Sequence, residues 1–169
     1  MDLREMQRPL KQRYREDPAA GLITLKAEAG TGEDVISCSV DFGRAIQEAQ
    51  AHPGVGGAGT GACSGDLLLG ALAACAQLTC QMVATAIGLE AKVEVSVEGD
   101  LDLRGTLGID RDVNAGFTEI RTRFHVDAPE ASEEQLQRLL EKTERYCTVL
   151  QSLRAPSPVS TELVRTGGG

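Results

Sequence analysis

LLLGALAACAQLTCQMVATAIGL, residues 67–89, runs for 23 positions without a charged side chain. That is long enough to cross a bilayer. Gln77, Thr79, Gln81 and Thr85 interrupt the run, and much of the rest is weakly apolar Ala. Its flanks, Asp66 and Glu90, bring no cluster of Lys or Arg to fix an orientation in a membrane. The stretch therefore reads as a helix of a soluble protein, apolar around nearly its whole circumference, and such a helix has to be covered on every side. Ser64 is placed to cap it, Asp66 suits the positive end of its dipole, and Gly88 suits its termination.

Immediately upstream, GVGGAGTGACSG (residues 54–65) has six Gly in twelve positions, too many for regular structure without a large entropic cost. Gly54, Gly56 and Gly59 fit G-x-G-x-x-G, but no strand ends just before them and His52-Pro53 intervenes. The helix also begins several residues too late for a dinucleotide-binding turn, and no Lys-Ser/Thr follows to make a phosphate loop. The segment reads as a connection or a lid beside a site.

Outward from this centre the period changes to two. In LITLKAEA, Ile23, Leu25, Ala27 and Ala29 alternate with Thr24, Lys26 and Glu28, and VISCSV follows with Ile36, Cys38 and Val40 on one face, which predicts a hairpin. AKVEVSVEG alternates Ala91, Val93, Val95 and Val97 against Lys92, Glu94, Ser96 and Glu98; LDLRGTLGI continues or pairs with it. FTEIRTRFHVDA sets Ile120, Thr122, Phe124 and Val126 against Arg121, Arg123 and His125. Ser132 and Gln135 form a capping box that opens a helix with Leu136, Leu139, Leu140 and Thr143 on its apolar face. TVLQSL begins a new helical turn, and VSTELV after APSP reads as a last strand.

The order β-β-α-β-β-(β)-α-β defines an α+β fold built on antiparallel sheet around a central buried helix. Residues 1–20 form an N-terminal arm or short helix, 21–165 a single domain, and 166–169 a disordered tail. One small sheet covers one side of the central helix, so a second copy of the chain is expected on the other side, giving a homodimer.

Seventeen Lys and Arg against 25 Asp and Glu give a net charge of −8, which excludes an electrostatic footprint for nucleic acid or anionic membrane. Three Phe, two Tyr and no Trp leave almost nothing for stacking bases. The N-terminus, MDLREMQRPLKQRYRED, lacks the apolar core of an export signal, so a cytoplasmic location is expected. Cys38, Cys63, Cys75, Cys80 and Cys147 contain no C-x-x-C and read as thiols. His52 and His125 lie far from any cysteine pair at zinc spacing, so neither a metal nor another cofactor is expected.

Two thiols stand out. Cys75 sits mid-helix among Ala71, Leu72, Thr79 and Met82, where the default reading is a small buried hydrophobe. Cys147 stands where one helix ends and another begins, a place that favours a thiolate. Cys80 lies about 140° around the helix from Cys75, so those two cannot pair within one helix. A Cys–His nucleophile would need His125 beside a thiol.

GGAGTGACSGDLLLGALAAC, followed some seventy residues later by LEKTERYCTVLQSL, resembles the OsmC/Ohr family of osmotically induced and organic hydroperoxide resistance proteins. The resemblance covers roughly residues 20–165 and implies the OsmC-like fold as an intertwined homodimer with its site at the subunit interface. It implies a thiol peroxidase in which Cys75 attacks an organic hydroperoxide, becomes a sulfenic acid and is resolved by Cys147 as a disulfide. A dithiol such as a lipoylated protein would then reduce that disulfide.

A cysteine inside an apolar helix loses thiolate to desolvation. Active family members offset this with an Arg from the first hairpin, held by a Glu ten residues before the first Cys. Here that position is Gly65 with Asp66 beside it, Lys26 is the only cation of the first hairpin, and Thr148 stands where the family has Pro. Lys26 with Asp66, or Arg44 reaching in, are the candidates to replace the missing pair, although Lys lacks the fork of Arg. The alternative is a non-catalytic dimer of this fold that binds a small apolar ligand at its interface.

Overall fold

The structure, a computed structural model, describes residues 3–31, 38–41, 51–57, 59, 62–156 and 158–163. Along the chain run α1 (Leu3–Glu16), β1 (Leu22–Thr31), β2 (Cys38–Asp41), α2 (Ser64–Ala86), β3 (Lys92–Asp102), a single turn α3 (Leu103–Thr106), β4 (Phe117–Asp127), α4 (Glu133–Tyr146) and α5 (Thr148–Arg154). The four strands form one sheet in the order β2-β1-β3-β4, each neighbouring pair antiparallel.

The alternation of β3 sets the layers. Val93, Val95 and Val97 are fully buried, facing α2, and the register places Val126, Phe124 and Thr122 of β4 beside them. The opposite face is ionic: Arg121 donates to both oxygens of Asp100 (2.5 and 3.0 Å), and Arg123 lies 3.1 Å from Glu98. That ladder keeps this face wet and the other dry, which fixes the register. At Gly99 a side chain would collide with the Phe117 ring, 2.5 Å from an added Cβ. The strand reading of LDLRGTLGI holds as far as Asp102; there its carboxylate accepts from Arg104 N (3.0 Å) and turns the chain into α3.

Helix α2 lies across β1 and β3, with α4 and α5 packed beside it. Its N-cap is Cys63, one residue before the expected Ser64. Asp66 is the reason: its carboxylate accepts from Cys63 N at 2.7 Å, while its own N–H donates back to the Cys63 sulfur, closing a capping box around a thiol. The C-terminus ends as expected. Gly88 takes φ +70°, and the bonds Gly88 N→Thr85 O (3.0 Å) and Leu89 N→Ala84 O (2.9 Å) cap the last carbonyls. Although α2 has the length and apolarity of a membrane span, most of it is buried inside the protein, and Gln77 Nε2 donates to Gln81 Oε1 (2.7 Å) within that interior.

The central helix is not covered on every side by its own chain: Leu68, Ala71 and Met82 are exposed and Leu78 half-exposed, one stripe at helical spacing. The reason is that sheet, α4 and α5 lie on the other flanks and nothing else among the described residues reaches this one. One expectation is corrected: the described part of VSTELV is not a strand, residues 158–163 being irregular and exposed, because alternation says what a segment could bury and not whether an edge is at hand.

Helix α1 joins the body through Tyr14, which is buried and donates to Gly54 O at 2.7 Å. The capping box predicted at Ser132 and Gln135 opens α4 (Gln135 N→Ser132 Oγ, 3.2 Å; Ser132 N→Gln135 Oε1, 2.9 Å).

Candidate thiol site between two helices

Cys75 is half-exposed, in the middle of α2 at the border of the open stripe. Cys147 is fully buried and shared by two helices, ending α4 and preceding α5. Its φ of −70° and ψ of 104° are extended backbone, so the chain turns a corner there while Cys147 N still donates to Thr143 O and Gln151 N to Cys147 O, both at 2.9 Å. That corner carries α5 back against α2. The outcome is that the thiols of two cysteines 72 residues apart in sequence lie close together, and Cys75 helps Cys147 hold its proton.

The amides of Leu150 and Val149, at the start of α5, also point at the Cys147 sulfur and favour its thiolate. Burial and the neighbouring Cys75 outweigh them and push the Cys147 thiol up to about 11. The helix start at TVLQSL is therefore present, but it does not ionise Cys147. Among the described residues no charged side chain contributes to that balance. Thr148 occupies the first helical position of α5, where the N–H has no partner inside the helix and Pro and Thr are equally accommodated.

The other named residues stand elsewhere. Asp66 caps α2 about 14 Å of helix axis from Cys75. Lys26 lies in β1 opposite Glu98, and its side chain is outside what the structure describes, as is all of Arg44. Cys80 is buried next to Thr143, with burial pushing its thiol up. Cys63 is the cap of α2, and Cys38 lies in β2 opposite Thr31. His125 is on the ionic face of the sheet with Ser96 Oγ 3.4 Å from Nε2, so no Cys–His pair forms with it. No group of His, Cys, Asp and Glu among the described residues is arranged to hold a metal ion.

Sequence reasoning found the helix break at Cys147 but missed the residues that line and brace it. Leu150 both donates its amide toward Cys147 and lines a cleft of about 540 Å³ with Leu72, Leu153, Phe117, Ile120 and Phe124. Glu144 and Arg154 brace that corner, joined by bonds of 2.8 and 3.2 Å, and Gln151 Nε2 donates to Glu144 O at 2.7 Å. The signal available was the spacing of Glu144, Cys147 and Arg154 around a helix break.

A family model described as OsmC-like protein matches residues 57–162, a span that holds α2, β3, α3, β4, α4, α5 and both thiols. The chain belongs to the OsmC-like family. No curated protein matches it.

Proposed function

We propose that this OsmC-like protein is a cytoplasmic thiol peroxidase for organic hydroperoxides, working as a homodimer. The observation that supports the reading is the proximity of the Cys147 and Cys75 thiols, which suits a resolving role for the second sulfur. The Cys75 thiolate attacks the distal peroxide oxygen; the O–O bond breaks and the alkoxide leaves with a proton as alcohol. Cys75 is then a sulfenic acid. The Cys147 sulfur attacks the Cys75 sulfur, the S–O bond breaks, water leaves with the Cys147 proton, and a disulfide remains. A dithiol, such as a lipoylated protein, returns the two electrons and two protons.

Keeping Cys147 protonated suits the order of events, because the neutral thiol can donate to the Cys75 sulfur before the attack and is shielded from reacting first. The cation that helps ionise Cys75 is assigned to Arg44, in the segment after the first hairpin, because Lys26 pairs in register with Glu98 on the sheet face turned away from α2. Peroxide reaches Cys75 along the open stripe of α2, and a second copy laid on that stripe closes the site. Small residues at Ala71, Ala74 and Cys75 allow two such helices to approach closely.

The test is one equivalent of cumene hydroperoxide followed by disulfide mapping. Loss of peroxide with a Cys75–Cys147 disulfide supports the reading; free thiols in the presence of remaining peroxide overturn it. A second reading is a non-catalytic dimer that binds a small apolar ligand at its interface. It draws on the lack of any cation among the groups that set the Cys147 thiol, within the described residues. Slow, unselective alkylation of Cys75 at neutral pH favours it, and fast selective alkylation rejects it.

A further inference from the structure

Two sulfurs stand side by side where, among the described residues, no charged side chain acts on the inner one. Cys147 is fully buried and Cys75 half-exposed, and burial pushes the Cys147 thiol up to about 11. At neutral pH Cys147 therefore carries its proton. Two other thiols stand singly. Burial, Asp66 and the Gly65 amide act on Cys63, and burial and Thr143 act on Cys80, with no second sulfur in either balance.

Such a pair selects among thiol-seeking ligands by charge and by valence. A cation held by two thiolates brings net charge into an apolar interior unless its own charge cancels theirs, and an uncancelled charge there is costly. Zinc requires four ligands, and no group of three or more His, Cys, Asp and Glu is assembled among the described residues. Trivalent arsenic avoids both demands. It is soft, it bonds covalently to two thiols, and the product is uncharged. Each As–S bond that forms replaces an As–O bond, and each thiol proton leaves with the hydroxide as water.

We propose that Cys75 and Cys147 together form a chelating site for trivalent arsenicals, closed as a ring through one arsenic atom. One R–As(OH)2 and two thiols give one R–As bridging both sulfurs and two waters, and arsenic stays trivalent throughout, so no oxidant or reductant takes part. Half-exposed Cys75 makes the first bond, and Cys147, held beside it by the α4–α5 corner, makes the second. That second bond is intramolecular, which is what lets the pair retain arsenic that a single thiol would release. The inference goes beyond the peroxidase reading and does not rest on it, because it needs two close sulfurs and no cation to ionise Cys75.

The experiment treats the reduced full chain with one equivalent of phenylarsine oxide in the absence of oxygen. The adduct is then challenged with excess glutathione and followed by intact mass and free-thiol count. The expected result is one adduct per chain with two of the five thiols blocked, released by a small dithiol. Its half-life in glutathione is at least about a hundredfold longer than in Cys75→Ser. Cys63→Ser and Cys80→Ser retain arsenic as the wild type does. Cys147→Ser loses it, and Cys75→Ser, at a half-exposed position, decides the matter should that variant fail to fold. Equally fast stripping from wild type and Cys75→Ser overturns the chelate, and so does a long-lived adduct in Cys75→Ser, which places arsenic on other thiols. Peroxide consumption by the arsenic-free protein separates the two readings. Lasting capture without peroxide turnover leaves the chelate standing and removes the peroxidase, and turnover without lasting capture does the reverse.

Discussion

The Cys147 thiol lies beside the sulfur of Cys75, across 72 residues of chain and from one helix junction to the middle of another helix. The two meet because the chain breaks helix at Cys147 and restarts it at once, which leaves that side chain pointing inward with two amides behind it.

Replacing Cys147 by Ser keeps a donor beside Cys75 and removes the resolving sulfur. Under the proposed reaction the variant consumes one equivalent of organic hydroperoxide and stops, with Cys75 held as a sulfenic acid. Dimedone labelling at Cys75 in the mass spectrum, with no disulfide, is the expected result; continued turnover would contradict the assignment of Cys147.

The pH dependence of stability follows from the same contact. Unfolded, the thiol ionises near 9; folded, it holds its proton up to about 11. Between these values the unfolded chain has fewer protons bound, so stability falls as pH rises, and below pH 9 the contribution is fully present. Two pKa steps correspond to about 2–3 kcal/mol. Urea denaturation at pH 8 and pH 11 should show the wild type losing more stability than Cys147→Ser over that interval.

Asp66 and Cys63 make a cap, and their variants should report on folding. Asp66→Ala removes one half of the box and costs about 1 kcal/mol. Cys63→Ser puts a preferred capping residue in the same place and leaves stability level or slightly higher. Thermal melts check both. A fall in peroxide turnover for Asp66→Asn at unchanged melting temperature would instead give Asp66 a part in the chemistry.

Tyr14→Phe deletes the hydroxyl that holds α1 against the turn before α2. The expected loss is about 1 kcal/mol, seen in hydrogen exchange as faster opening of residues 8–16 with β3 and β4 unchanged.

The elements were legible wherever one period ran for several turns. Val93, Val95 and Val97 announce a half-buried strand, and Ser132 with Gln135 announces the start of α4; both are where the alternation and the capping box placed them. Position 63 was harder, because Cys is a rare cap and only the reach of Asp66 selects it over Ser64. Residues 159–163 alternate as a strand does, yet a strand needs a neighbour that sequence cannot supply. The meeting of Cys75 and Cys147 depends on the angle at the α4–α5 corner, a long-range property carried by no local pattern.

The corner at Cys147 also has a mechanical consequence. A covalent link from it to Cys75 would stitch α2 to the end of α4 and the beginning of α5 in a single bond. It would enclose 72 residues of polypeptide, a restraint on the unfolded chain of about 4 kcal/mol. Under oxidising attack the molecule would then grow tougher as its chemistry is used up, and slacken again once reduced.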